Sequence, residues 1–290
     1  MTQPTPPPLS SYVESWAPSP VTDEDPLPAG PVAALSAVLD LPGPVAKAGD
    51  PLPPLWHWLY FLTWPAGRDL GADGHPLGGH FLPPLPQRRR MWAGGRCEIA
   101  RPLRLGEPTE RVSSLGQVTA RQGRTGDMLF VTERREFRQH GHTCLVEEQD
   151  IVYRSGPTVA QHPTTLDKTA LTNPDSPWQL ALRPDPALLF RFSALTANSH
   201  RIHYDTPYAR DEEGYPDIVV HGPLLALLML ELPRRHTPDR QVRSLSYRLR
   251  RPVFAGEALV ACGSPADGRA ELLIATHRDD QHATAEVTFA

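Results

Sequence analysis

The chain has 290 residues and a formal charge of −4, from 33 acidic and 29 basic side chains. A chain of this length buries a large core in one or two domains, and its charge offers no global attraction to nucleic acid or to an anionic membrane surface. Cys97, Cys144 and Cys262 stand far apart without CxxC spacing, which argues against a zinc knuckle or a disulfide framework and favours a reducing, cytoplasmic setting.

Residues 1 to about 30 are rich in proline and poor in large apolar side chains. They read as an extended surface arm, without the basic start and apolar core of a secretory leader. Helical spacing of Val32, Leu35, Val38 and Leu39 predicts a helix over 32–41, ended by Pro42-Gly43. The stretch 56–64 is apolar on nearly every side and predicts a buried helix stopped by Pro65. An irregular loop of Gly, Pro and His follows over 67–87, long enough to line a site. Beyond it the period is two, and strands are predicted at 97–100, 110–120, 128–137 and 145–154. A turn at 139–142 joins the last two as a hairpin, so the sheet should be antiparallel. Residues 155 to about 184, rich in Pro, Thr and Asp, read as a linker.

The second part repeats this order. Gly222-Pro223 opens a helix that is apolar all round from Leu224 to Leu232, so it should be buried, and Pro233 should end it. Its longest apolar run, Leu224 to Leu230, is far too short to cross a bilayer. Strands are predicted again at 245–249, 258–262, 271–276 and 283–289. The segments 101–107 and 251–257, 150 positions apart, share Arg-Pro-x-x-x-Gly-Glu and fall between the same two strands of each part. The residues alone therefore predict two α+β units, each with one core helix and about five strands.

The strongest chemical signal is in 192–205, where Asn198 and His203 stand five residues apart, ahead of His221-Gly222. Adding water to a double bond conjugated with a thioester requires a base for the water, a proton source for the α-carbon and a donor to the carbonyl oxygen. His203 suits the base, because imidazole titrates near neutrality. Asn198 can hold the same water through its amide without acting as a base. Gly222, opening a helix, offers an N–H backed by the helix dipole. Plainer readings stand beside these: His200 and His203 as polar loop residues, Asn198 as a cap, and His221-Gly222 as a helix start.

Other chemistries have less in the sequence to support them. His200 and His203 with Asp205 and His221 could ligate a metal, but no HExxH frame and no partner Glu accompanies them, so none is expected. Arg88-Arg89-Arg90 before Met91-Trp92 can meet a phosphate or an adenine, or line a solvated edge. GxSxG, GxxxxGK[ST] and GxGxxG are all absent, against an α/β-hydrolase, a P-loop enzyme and a Rossmann oxidoreductase.

The spacing of Asn198 and His203 resembles the active-site motif of the MaoC-like (R)-specific enoyl-thioester hydratases, in which an Asp precedes the His by five residues. This chain has Asn198 at the Asp position. Further stretches resemble the fused-hotdog branch that includes mesaconyl-C4-CoA hydratase, itaconyl-CoA hydratase and 3-hydroxyacyl-thioester dehydratase type 2. They are Trp58-Leu59-Tyr60-Phe61, Asp73-Gly74-His75-Pro76, Gly79-His80-Phe81-Leu82-Pro83-Pro84, Arg89-Arg90-Met91-Trp92-Ala93-Gly94-Gly95 and His200-Arg201-Ile202-His203-Tyr204-Asp205.

The resemblance implies an α+β double hotdog, two antiparallel sheets each wrapped round a buried central helix. An N-terminal hotdog with its arm would occupy 1–155, a linker 156–184 and a MaoC-like catalytic hotdog 185–290. It implies that the N-terminal hotdog has lost its catalytic pair and shapes an acyl-CoA tunnel, while Asn198, His203 and the Gly222 amide perform the chemistry. Arg88, Arg89, Arg90, Trp92, His200, Arg201, Tyr204 and His221 would bind substrate. The implied activity is a reversible, cofactor-independent hydration of a 2-enoyl thioester with a short branched or dicarboxylic acyl group. The thioester would arrive on CoA or acyl carrier protein, and the chain would form a homodimer or act as a pseudo-dimer. The rival readings are a 3-hydroxyacyl-ACP dehydratase of fatty acid synthesis, a hotdog thioesterase and a non-catalytic acyl-CoA binding subunit.

Overall fold

The structure, a computed structural model, describes residues 7–86, 89–123, 126–154 and 165–290. The described strands of the N-terminal half are β1 (Val21–Asp25), β2 (Arg89–Ile99), β3 (Thr109–Gly123), β4 (Gly126–Gln139) and β5 (His142–Arg154). Those of the C-terminal half are β6 (Trp178–Leu182), β7 (Val242–Leu249), β8 (Leu259–Ala266), β9 (Arg269–Thr276) and β10 (Asp279–Phe289). All are antiparallel neighbours in one sheet of order β1-β3-β4-β5-β2-β7-β10-β9-β8-β6. Read outward from the β2–β7 seam, each half repeats the same sequence of strands.

The expected pair of separate sheets is therefore one continuous ten-stranded sheet. β2 and β7 would each be an open edge in an isolated half, and pairing satisfies the exposed backbone groups of both. The close approach needs glycine. A Cβ on Gly94 would lie 2.3 Å from the Tyr247 carbonyl oxygen, and one on Gly95 would lie 2.6 Å from that of Glu148. The Ala-Gly-Gly tail of the arginine-rich segment thus serves the seam.

Two strands lie where none was expected. β1 falls within the proline-rich arm and pairs β3 from Val21↔Ser113 to Asp25↔Thr109, and β6 falls within the linker and pairs β8. Both are five-residue edge strands, and the prolines around them hide the alternation. The two Arg-Pro-x-x-x-Gly-Glu copies lead from β2 to β3 and from β7 to β8. Gly106 (φ +80°) and Gly256 (φ +83°) hold the same left-handed conformation in each.

Three α-helices are described: α1 (Gly30–Val38), α2 (Pro186–Leu195) and α3 (Gly222–His236). α3 is the central helix of the C-terminal half, buried at every residue from Leu224 to Pro233 and packed on β6, β8, β9 and β10. It runs through Pro233 rather than ending there. An interior proline costs about 3 kcal/mol, and the burial of the preceding Leu-rich turns, about 1.5–3 kcal/mol per large side chain, outweighs it. The helix expected over 56–64 is a single 3-10 turn, Trp56–Leu59, bracketed by left-handed Leu55 (φ +68°) and Phe61 (φ +55°). Only the C-terminal half therefore wraps a long helix among the described residues. No described helix is long and apolar enough to cross a membrane.

Candidate active site

The Asn198–His203 segment starts where α2 stops. The Asn198 N–H donates to the Ser193 carbonyl at 2.9 Å, the chain reversal of a Schellman motif, with Ala197 at φ +50° in the position that favours glycine. The side chain of Asn198 then caps the next turn, its Oδ1 accepting the His200 N–H at 3.0 Å. That leaves Nδ2, which makes no hydrogen bond among the described residues, to donate to a bound water.

His203 follows in a 3-10 turn, Arg201–His203, and is 7 % exposed. Its Nδ1 lies 2.7 Å from the Val219 carbonyl oxygen, which can only accept, so the ring proton sits on Nδ1 and Nε2 presents a lone pair. Burial pushes its pKa down to about 4 against the opposing hydrogen bond to Val219. The ring is a neutral base at neutral pH.

His221 backs this imidazole. The two rings are stacked with centroids 3.7 Å apart and 18° between planes, and His221 Nε2 meets Ser193 Oγ at 2.8 Å. His221 is fully buried and supports the His203 ring from behind. It is also the N-cap of α3, so that Gly222 begins the helix with one of its unpaired N–H groups. A Cβ on Gly222 would lie 2.4 Å from Leu249 Cδ1.

Two residues from the 67–87 loop complete the cluster, and neither was singled out for chemistry from the sequence. His75 Nδ1 lies 2.9 Å from Asp73 Oδ2, and Asp73 Oδ1 accepts the His75 N–H at 2.9 Å. The His75 ring is 4.0 Å from that of His200, which meets His203 edge-on at 5.6 Å. The loop is tied to the motif by its backbone: Arg201 N–H donates to the Asp73 carbonyl at 2.8 Å and Ser199 Oγ to the Gly74 carbonyl at 2.5 Å. Gly74 is indispensable to this docking, at φ +86° and with a Cβ position 1.9 Å from the Ser199 oxygen.

Electrostatics keep the imidazoles neutral. Burial, then the neighbouring His75 and His203, push His200 down to about 2. Burial lowers His221 well below its ordinary value, and it lowers His75 against the opposing effect of Asp73. Burial works to raise Asp73, but its hydrogen bonds to His75 prevail and hold it near 2, so it is ionised. Asp73, His75 and His200 also bring three ligand-type atoms within 4.8 Å of one another, a donor set compatible with a divalent cation. Both Asp73 oxygens already serve His75, which makes the carboxylate the partner of an imidazole.

The remaining expected ligand residues divide. Arg88 lies outside the described residues, and Arg89 opens β2 opposite Arg154. The Arg90 charge lies close enough to His75 and His200 to lower the proton affinity of both. Trp92 lies at the seam, its Nε1 donating to the Gly94 carbonyl and to Tyr247 Oη and its ring packed on Trp58. Arg201 is occupied as a clamp, paired with Asp205 at 2.7 Å, bonded to the Ala72 carbonyl and stacked on Tyr208. Tyr204 is exposed and donates to the Ser199 carbonyl.

A neutral base, an amide donor and a helix N-terminus in one buried cluster can add water to an activated double bond. Solved structures share this fold. HtdX of Mycobacterium tuberculosis, 18% identical, aligns over 94% of this chain and 100% of its own at a TM-score of 0.65. A MaoC-like dehydratase from Phytophthora capsici, 12% identical, aligns over 97% and 98% at 0.62. Both likenesses define the MaoC-like dehydratase fold.

The model of the hydroxyacyl-thioester dehydratase type 2 family matches residues 55–255, and the chain belongs to that family; it is a hydro-lyase acting on enoyl thioesters. The chain is 46% identical over 237 residues to mesaconyl-C(4)-CoA hydratase of Chloroflexus aurantiacus, covering 80% of this chain and 81% of that one. It is 28% identical over 236 residues to the mitochondrial hydroxyacyl-thioester dehydratase type 2 of Schizosaccharomyces pombe, covering 73% and 77%.

Proposed function

We propose that the chain reversibly hydrates a 2-enoyl-CoA whose acyl group is short and branched or dicarboxylic, of the mesaconyl or itaconyl kind. The observation that carries the chemistry is His203, whose Nδ1 is committed to Val219 so that Nε2 faces its task as a neutral base. In this reading Nε2 takes a proton from water as the oxygen bonds to the β-carbon, and Asn198 Nδ2 holds that water. The Gly222 N–H stabilises the negative charge on the thioester oxygen. These groups supply the base, the hold on the water and the carbonyl donor, and this reading calls on no cofactor.

The acyl class is supported by the likeness to the Chloroflexus hydratase and by the charge of Arg90 beside the cluster, which suits a second carboxylate. We further assign the N-terminal hotdog to 1–155, the linker to 156–184 and the catalytic hotdog to 185–290, in a soluble cytoplasmic homodimer. The test is a panel of crotonyl-, mesaconyl-C4- and itaconyl-CoA, followed by loss of conjugated-thioester absorbance and by release of free thiol. The expected result is hydration of a dicarboxylic substrate at least tenfold faster than crotonyl-CoA by kcat/KM, about 1.4 kcal/mol of discrimination. Preference for crotonyl-CoA would contradict the acyl class, and thiol release would make the protein a thioesterase.

A further inference from the structure

Hydration takes a proton from water and delivers one to the α-carbon, and Asn198, unlike the Asp of the broader motif, can carry neither. The structure contains a second proton carrier from the other half of the chain. Of the three imidazoles gathered around His203, His221 is fully buried behind it. His200 has no carboxylate bonded to it and makes no ring hydrogen bond among the described residues. His75 alone has a carboxylate on its Nδ1, Asp73 at 2.9 Å, which fixes the tautomer and leaves Nε2 free for proton transfer. The arrangement is the base-plus-orienting-carboxylate pairing of other acid/base sites.

We propose that Asp73 and His75 of the N-terminal half complete the active site, with His75 as the catalytic residue that exchanges the α-carbon proton and Asp73 as its positioning residue. This rests on the hydration chemistry proposed above. In the hydration direction His203 Nε2 takes a proton from water while the water oxygen bonds to the β-carbon. The double-bond pair moves toward the α-carbon and the thioester oxygen, giving an enolate held at the Gly222 N–H. The proton taken by His203 passes to Nε2 of His75, neutral at rest, and the enolate collapses as the α-carbon takes it from there. Asp73 stays ionised throughout and balances the transient His75 imidazolium. One proton has then moved from water through His203 and His75 to carbon, and every imidazole is neutral again. His200, 4.0 Å from one ring and 5.6 Å from the other, is placed to bridge that transfer.

The N-terminal half is thereby more than a wall of the site. Gly74 and Ser199 lock its Asp-x-His turn onto the motif, which gives a two-residue dyad the rigidity that proton transfer demands.

The test separates the two proton events. Butyryl-CoA and succinyl-CoA have an α-proton and no double bond, so their α-hydrogen exchange in D2O, read by mass spectrometry or NMR, reports the α-carbon base alone. The wild-type protein should catalyse exchange. His75→Gln should lower it at least 100-fold, within the span of general acid/base catalysis. Asp73→Asn should lower exchange and hydration about tenfold, with KM unchanged. His203→Gln should lose hydration of mesaconyl-C4-CoA but keep exchange within threefold of wild type. Added imidazole should restore exchange to His75→Ala, which a merely structural role would not allow. His75 lies in a half-buried surface loop, and His75→Asn serves if the Gln variant does not fold. Exchange by His75→Gln within threefold of wild type, loss of exchange in His203→Gln, or no exchange by the wild type on either thioester would overturn the proposal. Wild-type exchange without hydration of mesaconyl-C4-CoA would support the dyad and contradict only the acyl class.

Discussion

Ser199, in the C-terminal half, gives its hydroxyl proton to the carbonyl oxygen of Gly74, in the N-terminal half, at 2.5 Å. That bond sets the distance between the Asp73–His75 turn and the Asn198–His203 segment. A methyl group on Gly74 would fall 1.9 Å from the Ser199 carbonyl oxygen, and φ of +86° disfavours any side chain. Gly74→Ala should lower kcat about 100-fold, the effect of an ångström of misplacement. The bulk fold should persist, because the loop contributes little to the core. Steady-state hydration with circular dichroism checks both statements.

Asn198→Asp should keep the Oδ1 contact to the His200 N–H and set an anion beside His203. His203 is active when neutral, and burial holds its pKa near 4, so wild-type kcat/KM should fall on acidification only as the pH approaches that value. The new carboxylate favours the imidazolium, so the acid limb should move upward. A pH–rate profile measures the shift, and an unmoved limb would contradict the placement.

Stability should fall on acidification for the same reason. His75, His200, His203 and His221 all have folded pKa values below the ordinary 6.5. Between those values and 6.5 the unfolded chain binds more protons, so the contribution is fully present above 6.5 and is lost as pH drops through the range. The urea midpoint should be lower at pH 5 than at pH 7.5. Equal midpoints would contradict the burial of these rings.

α3 is the centre of the C-terminal core. Leu227 is 1 % exposed in its middle. Leu227→Ala should destabilise the fold by about 2–5 kcal/mol through lost transfer energy and a residual cavity. Denaturant unfolding at fixed pH measures this.

Much of this was legible in the sequence because the relevant signals are local. The period-two runs give β2–β5 and β7–β10, and the shared Arg-Pro-x-x-x-Gly-Glu marks equivalent turns. β1 and β6 were hidden because an edge strand of five residues needs only half of its backbone paired and carries little apolar pattern. The 56–64 run was misread as a helix because apolarity all round cannot tell a buried turn from a buried helix; left-handed Leu55 and Phe61 decide it. Asn198, His203 and Gly222 could be singled out as candidates from their spacing. Asp73 and His75 could not, since their role depends on a contact across more than 120 residues of chain. Their signs were an Asp and a His two apart in a Gly- and Pro-rich loop, and the place of Asp73-Gly74-His75-Pro76 among the stretches that resemble the fused-hotdog branch. The sequence offered Trp92 and His221 as ligand contacts, and it gave no sign of the hydrogen bond from Trp92 to Tyr247 at the seam or of the stacking of His221 on His203.

The most direct measurement is the rate at which purified wild-type protein and His203→Ala bleach the conjugated-thioester absorbance of mesaconyl-C4-CoA. The wild type should turn over, and His203→Ala should lose about 100- to 10,000-fold in kcat, the range for removing a general base, while keeping its fold by circular dichroism. A His203→Ala rate within a few-fold of wild type would contradict the account.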